Sequence, residues 1–197
     1  MRIFAALVPP DAVVEDLGTF LEPRREAGGD LRWTDPPQWH VTLAFMAQVP
    51  QGSVDALVEE LSGAVEGRPP LALRIEGGGA FPNPYSARVL WAGIEGGDGA
   101  LASLTSIARG VRRAANHAGA SPEGGPFHPH VTVARLRRPA EATRWIRVLD
   151  SYAGPSWLAD EVTLVASHLG EGRGHRPRYE HLAHIPLAPP AGLEPAT

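Results

Sequence analysis

The phrase His-Val-Thr followed by an aliphatic residue occurs twice in this chain of 197 residues, beginning at His40 and at His130. Each copy places a side chain that can carry a proton two residues before a hydroxyl group. Side chains alternate between the faces of a β-strand, so residues i and i+2 point the same way, about 7 Å apart. We therefore expect His40 and Thr42 to share one face of a strand, and His130 and Thr132 to share one face of another. Two such strands across a cleft would offer two histidines and two hydroxyls to one small ligand.

A chance origin explains one copy of this phrase better than it explains two. With 8 histidines in the chain, random placement gives roughly 0.3 His-x-Thr triplets, so a single copy is a weak motif. One copy is also what a half-buried strand with a surface histidine looks like. Two copies, both with aliphatic neighbours, favour a functional origin.

The composition sets limits on the class of protein. A hydrophobic content of 43% suits one compact domain or two small lobes that share a cleft. No apolar run approaches the ~20 residues that span a bilayer, so we expect no membrane segment. The chain has no cysteine, which excludes disulfides, zinc-cysteine sites and a thiolate nucleophile. A cytoplasmic location is compatible with this composition and is our expectation.

The basic residues are all arginine, 18 in number. The absence of lysine excludes a lysine-adenylate mechanism and a Walker A phosphate loop, which requires its lysine. A net charge of −4 argues against a broad, non-specific nucleic-acid surface. It permits a local arginine patch that holds one terminal phosphate.

Helical and strand patterns alternate along the chain. We expect strands at residues 2–8, 31–34, 39–46, 71–76, 88–94, 127–136, 161–169 and 179–187, and helices at residues 10–21, 53–65, 98–117 and 139–149. The three glycines at 77–79 read as a turn or a bulge. The same order (helix, strand, loop, strand) follows each motif strand, which indicates an internal duplication. A doubly wound parallel sheet is the weaker alternative, because no glycine-rich loop follows the first strand.

The residues around the two motifs resemble those of the 2H phosphoesterase superfamily, which is named for paired His-x-Thr/Ser-x motifs. Within it, the chain is similar to the RNA 2′,3′-cyclic phosphodiesterase, or LigT-like 2′-5′ RNA ligase, family. RIFAALVPP is similar to the opening strand of that family, WHVTLAFM to its first motif, FHPHVTVARLRRP to its second motif, and EVTLVASHL and RYEHLAHIPL to its closing strands.

The resemblance implies a fold and a domain organisation. The fold is α+β and bilobal, with two pseudo-symmetric lobes of antiparallel sheet and outer helices around a central cleft. We expect residues 1–188 to form a single domain of two interleaved lobes, and residues 189–197 to be a disordered tail. A monomer is expected.

The resemblance also implies an activity: hydrolysis of RNA 2′,3′-cyclic phosphate ends without metal or other cofactor, which leaves a 2′-phosphate. Histidine can donate or accept a proton near neutral pH. We assign His40 as proton donor to the leaving O3′ and His130 as proton acceptor from water, although the pattern alone leaves these roles open. Thr42 and Thr132 would bind the nonbridging oxygens. The reverse reaction would join a cyclic phosphate to a 5′-hydroxyl in a 2′-5′ linkage.

Arg135 is a further phosphate-binding candidate, on the strength of the resemblance. It lies five residues after His130, so strand alternation places it on the opposite face unless a bulge intervenes.

Several other side chains are candidates for the edge of the cleft or for contact with a base. Trp39, Phe81 and Trp33 could stack on a base, although aromatic residues of this kind are more often part of a core. Arg88 either lines the cleft or is an exposed strand arginine. His128 forms His-x-His with His130, but with no third ligand nearby we expect no metal site.

Two alternatives to the RNA activity stay open. The same chemistry could act on 2′-5′ oligonucleotides or on ADP-ribose 1″,2″-cyclic phosphate. The chain could also be a non-catalytic module that binds RNA ends or nucleotides, although binding alone needs no matched acid and base. The loop EGRGHRPR either faces RNA or is a solvated charged loop.

Overall fold

The computed structural model describes residues 1–188, so the expected disorder of residues 189–197 lies outside the described residues. Nine strands and four helices make up this part of the chain. The strands are β1 (Ile3–Leu7), β2 (Leu31–Trp33), β3 (Val41–Met46), β4 (Leu71–Phe81), β5 (Ala87–Gly96), β6 (His130–Ala140), β7 (Trp157–Ala159), β8 (Glu161–His168) and β9 (Arg178–Pro186). The helices are α1 (Asp11–Ala27), α2 (Val54–Val65), α3 (Ala100–His117) and α4 (Thr143–Asp150).

The strands form one antiparallel sheet whose order is β7-β4-β5-β6-β3-β1-β8-β9, with β2 paired to β6. The two motif strands, β3 and β6, are neighbours in the middle of the sheet. Three further strands extend outward from each of them, which confirms the predicted pseudo-symmetric α+β fold. The halves are interleaved in sequence, because β1 and the two C-terminal strands lie in the same half.

The helices cover one face of the sheet and build a core with it. Buried residues recur every three or four positions along each long helix, as expected for an amphipathic helix against a sheet. Those of α1, α2 and α3 join the buried strand residues in one hydrophobic cluster. In the part of the chain that the structure describes, no helix is both long and apolar enough to cross a membrane.

A β-bulge interrupts the second motif strand directly after the motif. Leu90 of β5 pairs with Ala134, while the next residue, Trp91, pairs with Thr132. Val133 is therefore an extra residue on β6, and both Val133 and Ala134 are buried in the core. The bulge carbonyl is not left unpaired, because the Val133 oxygen accepts a hydrogen bond from the Thr34 amide at 2.9 Å.

The first motif strand contains the same bulge at the equivalent position. Ala5 of β1 pairs with Ala44 and Ala6 pairs with Thr42, which leaves Leu43 as the extra residue. Its carbonyl oxygen accepts a hydrogen bond from Nε of Arg112 on α3, at 3.1 Å. The duplication thus extends beyond the repeated letters to a shared backbone irregularity.

The bulges decide which side chains reach the concave face. Each inserts one residue and so reverses the alternation of the strand beyond it. Arg135, expected on the opposite face in a regular strand, lines the cleft with His130 and Thr132. Phe45, at the equivalent position of β3, lines it with His40 and Thr42.

The glycines at 77–79 lie within β4, which is longer than the sequence pattern predicted. The β4–β5 register shifts between Ile75 and Gly78, and Gly77 has a φ of +66°, so this segment is a bulge. Gly79 pairs with Trp91 across the strands. A Cβ on Gly79 would lie 2.3 Å from the Trp91 indole ring, so the ring occupies the space that a side chain would need.

We predict that Gly79→Ala destabilises the protein, because the Trp91 ring has to move to admit the methyl group. Overpacking of this kind costs about 1–3 kcal/mol and is measured as a lower free energy of unfolding in urea. Gly18→Ala is the matched control, since nothing lies within 4 Å of a Cβ there and alanine favours a helix. Equal stability of the two variants would contradict the packing described for Trp91.

Candidate active site

A cleft of about 570 Å³ lies on the concave face of the sheet, where β3 and β6 meet. It is lined by both motif histidines, both motif threonines and residues from the strands and loops around them: Arg2, Phe4, Arg32, Trp33, Thr34, Gln38, His40, Thr42, Phe45, Glu123, His130, Thr132, Arg135, Ser167, Leu169, Arg176, Pro177 and Tyr179. The structure thus brings His40, Thr42, His130, Thr132 and Arg135 together in one cavity.

His40 immediately precedes β3 and is held on two sides. Its Nδ1 lies 2.7 Å from the carbonyl oxygen of Gln38. A carbonyl only accepts, so Nδ1 carries the proton and Nε2 is the nitrogen that can exchange a proton with a ligand. The ring stacks on Phe4 with centroids 4.4 Å apart, and Tyr179 packs edge-on at 5.7 Å.

His130 is the first residue of β6 and is held in the same manner. Its Nδ1 lies 2.6 Å from the carbonyl oxygen of His128, again two residues earlier in the chain. Nε2 is therefore the free nitrogen of this ring as well. Phe81 packs edge-on against it with centroids 4.9 Å apart, so the two histidines share both tautomer and support.

The pairing of the motif strands places each histidine beside the other strand's threonine. Val41 of β3 pairs with Val131 of β6 in antiparallel register. Continuing that register by one residue in each direction sets His40 beside Thr132, and Thr42 beside His130. The four side chains form a two-fold arrangement around a single point on the sheet.

Both histidines favour the neutral form in the ligand-free cleft. Burial lowers the pKa of His40 from 6.5 to about 4; the Gln38 carbonyl raises it, and the nearby His130 and Arg135 lower it further. Burial also lowers the pKa of His130; the His128 carbonyl raises it, and the nearby His128 ring and Arg135 lower it further. An anion in the cleft acts in the opposite sense, because it favours the charged imidazolium.

The cleft concentrates positive charge in a protein of net negative charge. Its lining includes four arginines (Arg2, Arg32, Arg135 and Arg176), with Glu123 as the single acidic residue among the residues that the structure describes there. The guanidinium of Arg2 lies 4.8 Å from the centroid of the Phe45 ring. Such a cavity suits a ligand that carries phosphate.

The loop at residues 171–178 closes one side of the cleft and is tied to the turn that carries His40. Gln38 donates a hydrogen bond from Nε2 to the carbonyl oxygen of Pro177 at 2.7 Å, and Arg176 forms an ion pair with Asp35. Gln38 is also the residue whose carbonyl orients His40. Arg178 is engaged within the loop by Glu171.

The three aromatic residues that were candidates for stacking on a base lie in surroundings that differ from one another. Trp39 is 2% exposed and belongs to the core, and it does not line the cleft. Trp33 borders the cleft, but its indole packs on Trp145 and donates to the carbonyl of Gly28. Phe81 supports the His130 ring, as described above.

Two polar candidates also lie outside the cleft lining. Arg88 is exposed. It lies two residues before the buried Leu90 on the same strand, so its side chain points to the sheet face opposite the cleft. His128 is exposed at the cleft margin and packs against Trp91 at 4.6 Å. Its backbone carbonyl, rather than its ring, contacts His130.

Among the cleft residues that were not predicted from the sequence are Arg2, Arg32, Phe45 and Tyr179. One signal was available for Phe45: both motifs continue as His-x-Thr-x-Ala-x, and the last position is Phe45 in one copy and Arg135 in the other. Arg32 and Tyr179 enter through strand pairings that no local pattern reveals.

Within residues 1–188, no three side chains of His, Cys, Asp or Glu lie close enough together to hold a metal ion. The ring centroids of His128 and His130 are 6.3 Å apart. Metal-free action stays a prediction.

A family model described as the 2′-5′ RNA ligase superfamily matches residues 9–171. The chain belongs to this superfamily. The match covers both motifs and the bulges that follow them, and it confirms the family predicted from the paired His-x-Thr phrases.

Named relatives and a solved structure of the superfamily are similar over most of the chain. A Geobacillus stearothermophilus protein named RNA 2′,3′-cyclic phosphodiesterase is 29% identical over 79% of this chain, which spans about half (47%) of that relative. An Archaeoglobus fulgidus protein of the same name is 32% identical over 70% of this chain and 74% of that protein. The crystal structure of Escherichia coli LigT in apo form has a TM-score of 0.71 at 27% identity, covering 94% of this chain and 96% of that one.

We predict that His40 of this superfamily member titrates near pH 4 in the ligand-free protein and at higher pH with inorganic phosphate, since an anion favours imidazolium. NMR titration of the His40 ring resonances, assigned with His40→Gln, measures both values. A ligand-free pKa at or above 6.5, or a phosphate-independent pKa, would contradict the environment described for His40.

Proposed function

We propose that this protein hydrolyses RNA 2′,3′-cyclic phosphate ends to 2′-phosphomonoesters. The observation that carries the proposal is the two-fold arrangement around Val41 and Val131, which offers two histidine Nε2 atoms and two hydroxyls to one phosphate. The names of the relatives support the substrate class. The arginine-rich lining of the cleft supports an anionic ligand.

The proposed reaction uses the two histidines as base and acid. Nε2 of His130 takes a proton from water as the water oxygen bonds to phosphorus. Nε2–H of His40 gives its proton to O3′ as the P–O3′ bond breaks. The 2′-phosphate and a free 3′-hydroxyl result, and no metal is needed in either proton transfer.

The remaining motif side chains stabilise the charge that develops on phosphorus. The hydroxyls of Thr42 and Thr132 donate hydrogen bonds to the nonbridging oxygens. The guanidinium of Arg135 adds a charge-assisted contact, and the bulge at Val133 is what directs it into the cleft.

The protonation states fit this assignment once substrate is bound. The lowered pKa of His130 keeps it neutral at neutral pH, as a base must be. His40 has to gain a proton before it acts, and the anionic cyclic phosphate promotes this by raising its pKa. With a 5′-hydroxyl in place of water, the same base and acid give a 2′-5′ linkage without ATP, as the 5′-oxygen bonds to phosphorus and the P–O3′ bond breaks; the roles exchange in the reverse reaction, which cleaves that linkage. Monomeric state and cytoplasmic location stay predictions.

We predict that wild-type protein converts adenosine 2′,3′-cyclic phosphate to adenosine 2′-phosphate in the presence of EDTA, as followed by ³¹P NMR. His40→Ala and His130→Ala should each lower kcat by at least about 10²-fold, because each removes a general acid or base. His117→Ala is the control, since His117 lies on α3, outside the cleft lining.

Three results would oppose the proposal. Near-full activity of either cleft variant would contradict the two-histidine assignment. Loss of activity in EDTA with recovery on adding a divalent metal would contradict the metal-free route. A 3′-phosphate product would contradict the assignment of O3′ as the leaving group.

A further inference from the structure

Two arginines face each other in the cleft. Arg32 of β2 is the direct cross-strand partner of Arg135 of β6, and both line the cavity that contains the motif histidines. Directly opposed residues on antiparallel strands have Cβ atoms about 4.5–5.5 Å apart, and like charges at such positions destabilise the sheet. Such a pair needs a compensating charge.

The protein does not supply that charge. Within residues 1–188, neither guanidinium lies within ion-pair distance of a carboxylate. Two nearby arginines do have carboxylate partners: Arg176 forms an ion pair with Asp35, and Arg178 forms one with Glu171. Within the described residues, the opposed pair therefore offers an anionic ligand two guanidinium groups that have no carboxylate partner.

The two arginines lie on different strands at one level of the cleft. Arg135 follows Thr132 on β6 and is the one assigned to the reacting phosphate. Arg32 lies on β2, which pairs with the same edge of β6 as β3 does, about 5 Å to the side of Arg135. After the bulge, two strand positions separate Thr132 from the row that Arg135 and Arg32 share, so this row lies about 7 Å along the sheet from Thr132. That offset is comparable with the distance between neighbouring phosphates of an RNA strand.

We propose that Arg32 binds a second phosphate, the one esterified to the 5′-oxygen of the nucleotide that carries the cyclic phosphate. This inference rests on the proposed function and names its substrate class. Arg32 distinguishes the end of an RNA chain, which has this phosphate, from a free nucleoside 2′,3′-cyclic phosphate, which lacks it. A 5′-monophosphate presents the same chemistry, so the test includes a substrate of each kind.

The test compares three substrates: adenosine 2′,3′-cyclic phosphate, its 5′-phosphorylated form, and the dinucleotide adenylyl-adenosine 2′,3′-cyclic phosphate. Wild-type protein should have a higher kcat/KM for both compounds that carry the 5′-side phosphate. In Arg32→Ala, this preference over the simple cyclic nucleotide should fall about tenfold, the loss of one charge-assisted contact. Arg32→Lys should retain part of it, because lysine keeps the charge without the planar fork.

Two further readouts separate a binding role from a structural one. The slope of log(kcat/KM) against log[salt] for the dinucleotide should become shallower by about 0.7 in Arg32→Ala, as one phosphate contact is lost. The Tm of this variant should equal or exceed that of wild type, because a like-charge pair is removed. Arg88→Ala, on the opposite sheet face, should change neither the preference nor the slope.

An equal loss on all three substrates, or no loss on any, would overturn the role of Arg32. A preference that appears for the dinucleotide and not for the 5′-phosphorylated nucleotide would overturn recognition of the phosphate itself. Equilibrium binding of the two 2′-phosphate products, adenosine 2′-phosphate and its dinucleotide counterpart, tests Arg32 without turnover. If wild-type protein hydrolyses none of the substrates, the proposed function fails, while a dinucleotide-specific binding loss in Arg32→Ala still supports the subsite.

Discussion

The pairing of Val41 with Val131 is the contact on which the cleft depends. It joins the two halves of the sheet at their motif strands and sets the register that brings each histidine to the other strand's threonine. The bulges at Leu43 and Val133 then turn one more side chain from each strand into the cavity. Because bulges reverse the side-chain alternation beyond them, loss of either would return Phe45 or Arg135 to the helical face of the sheet.

Charge in the cleft follows from the same geometry. The sheet lines up arginines on its concave face, and burial lowers the pKa of both histidines. Together these effects produce a cavity that is cationic yet holds neutral imidazoles when empty. An entering phosphate offsets the arginine charge and favours protonation of one imidazole at the same time. Binding of the anion and preparation of the acid are therefore linked in this account.

Much of this arrangement could be predicted from the sequence, because strand alternation is local. The faces of His40, Thr42, His130 and Thr132 follow from a period of two, and the duplicated order of elements indicates two halves. The bulges themselves leave no local signal, so Arg135 was expected on the opposite face. Phe45 was missed although the repeated His-x-Thr-x-Ala-x phrase places it at the position equivalent to Arg135. Arg32 reaches the site through pairing of β2 with β6, a contact between residues more than 100 positions apart. Trp39 reads like a cleft aromatic beside His40, yet it packs in the core.

A crystal structure of the protein with adenosine 2′-phosphate would show whether both motifs act on one phosphate. We expect one phosphate group between the motif strands, with Nε2 of His40 and of His130 and Oγ1 of Thr42 and of Thr132 each within about 3.2 Å of one of its oxygens. A phosphate bound to one motif only, or bound outside the cleft between β3 and β6, would contradict it.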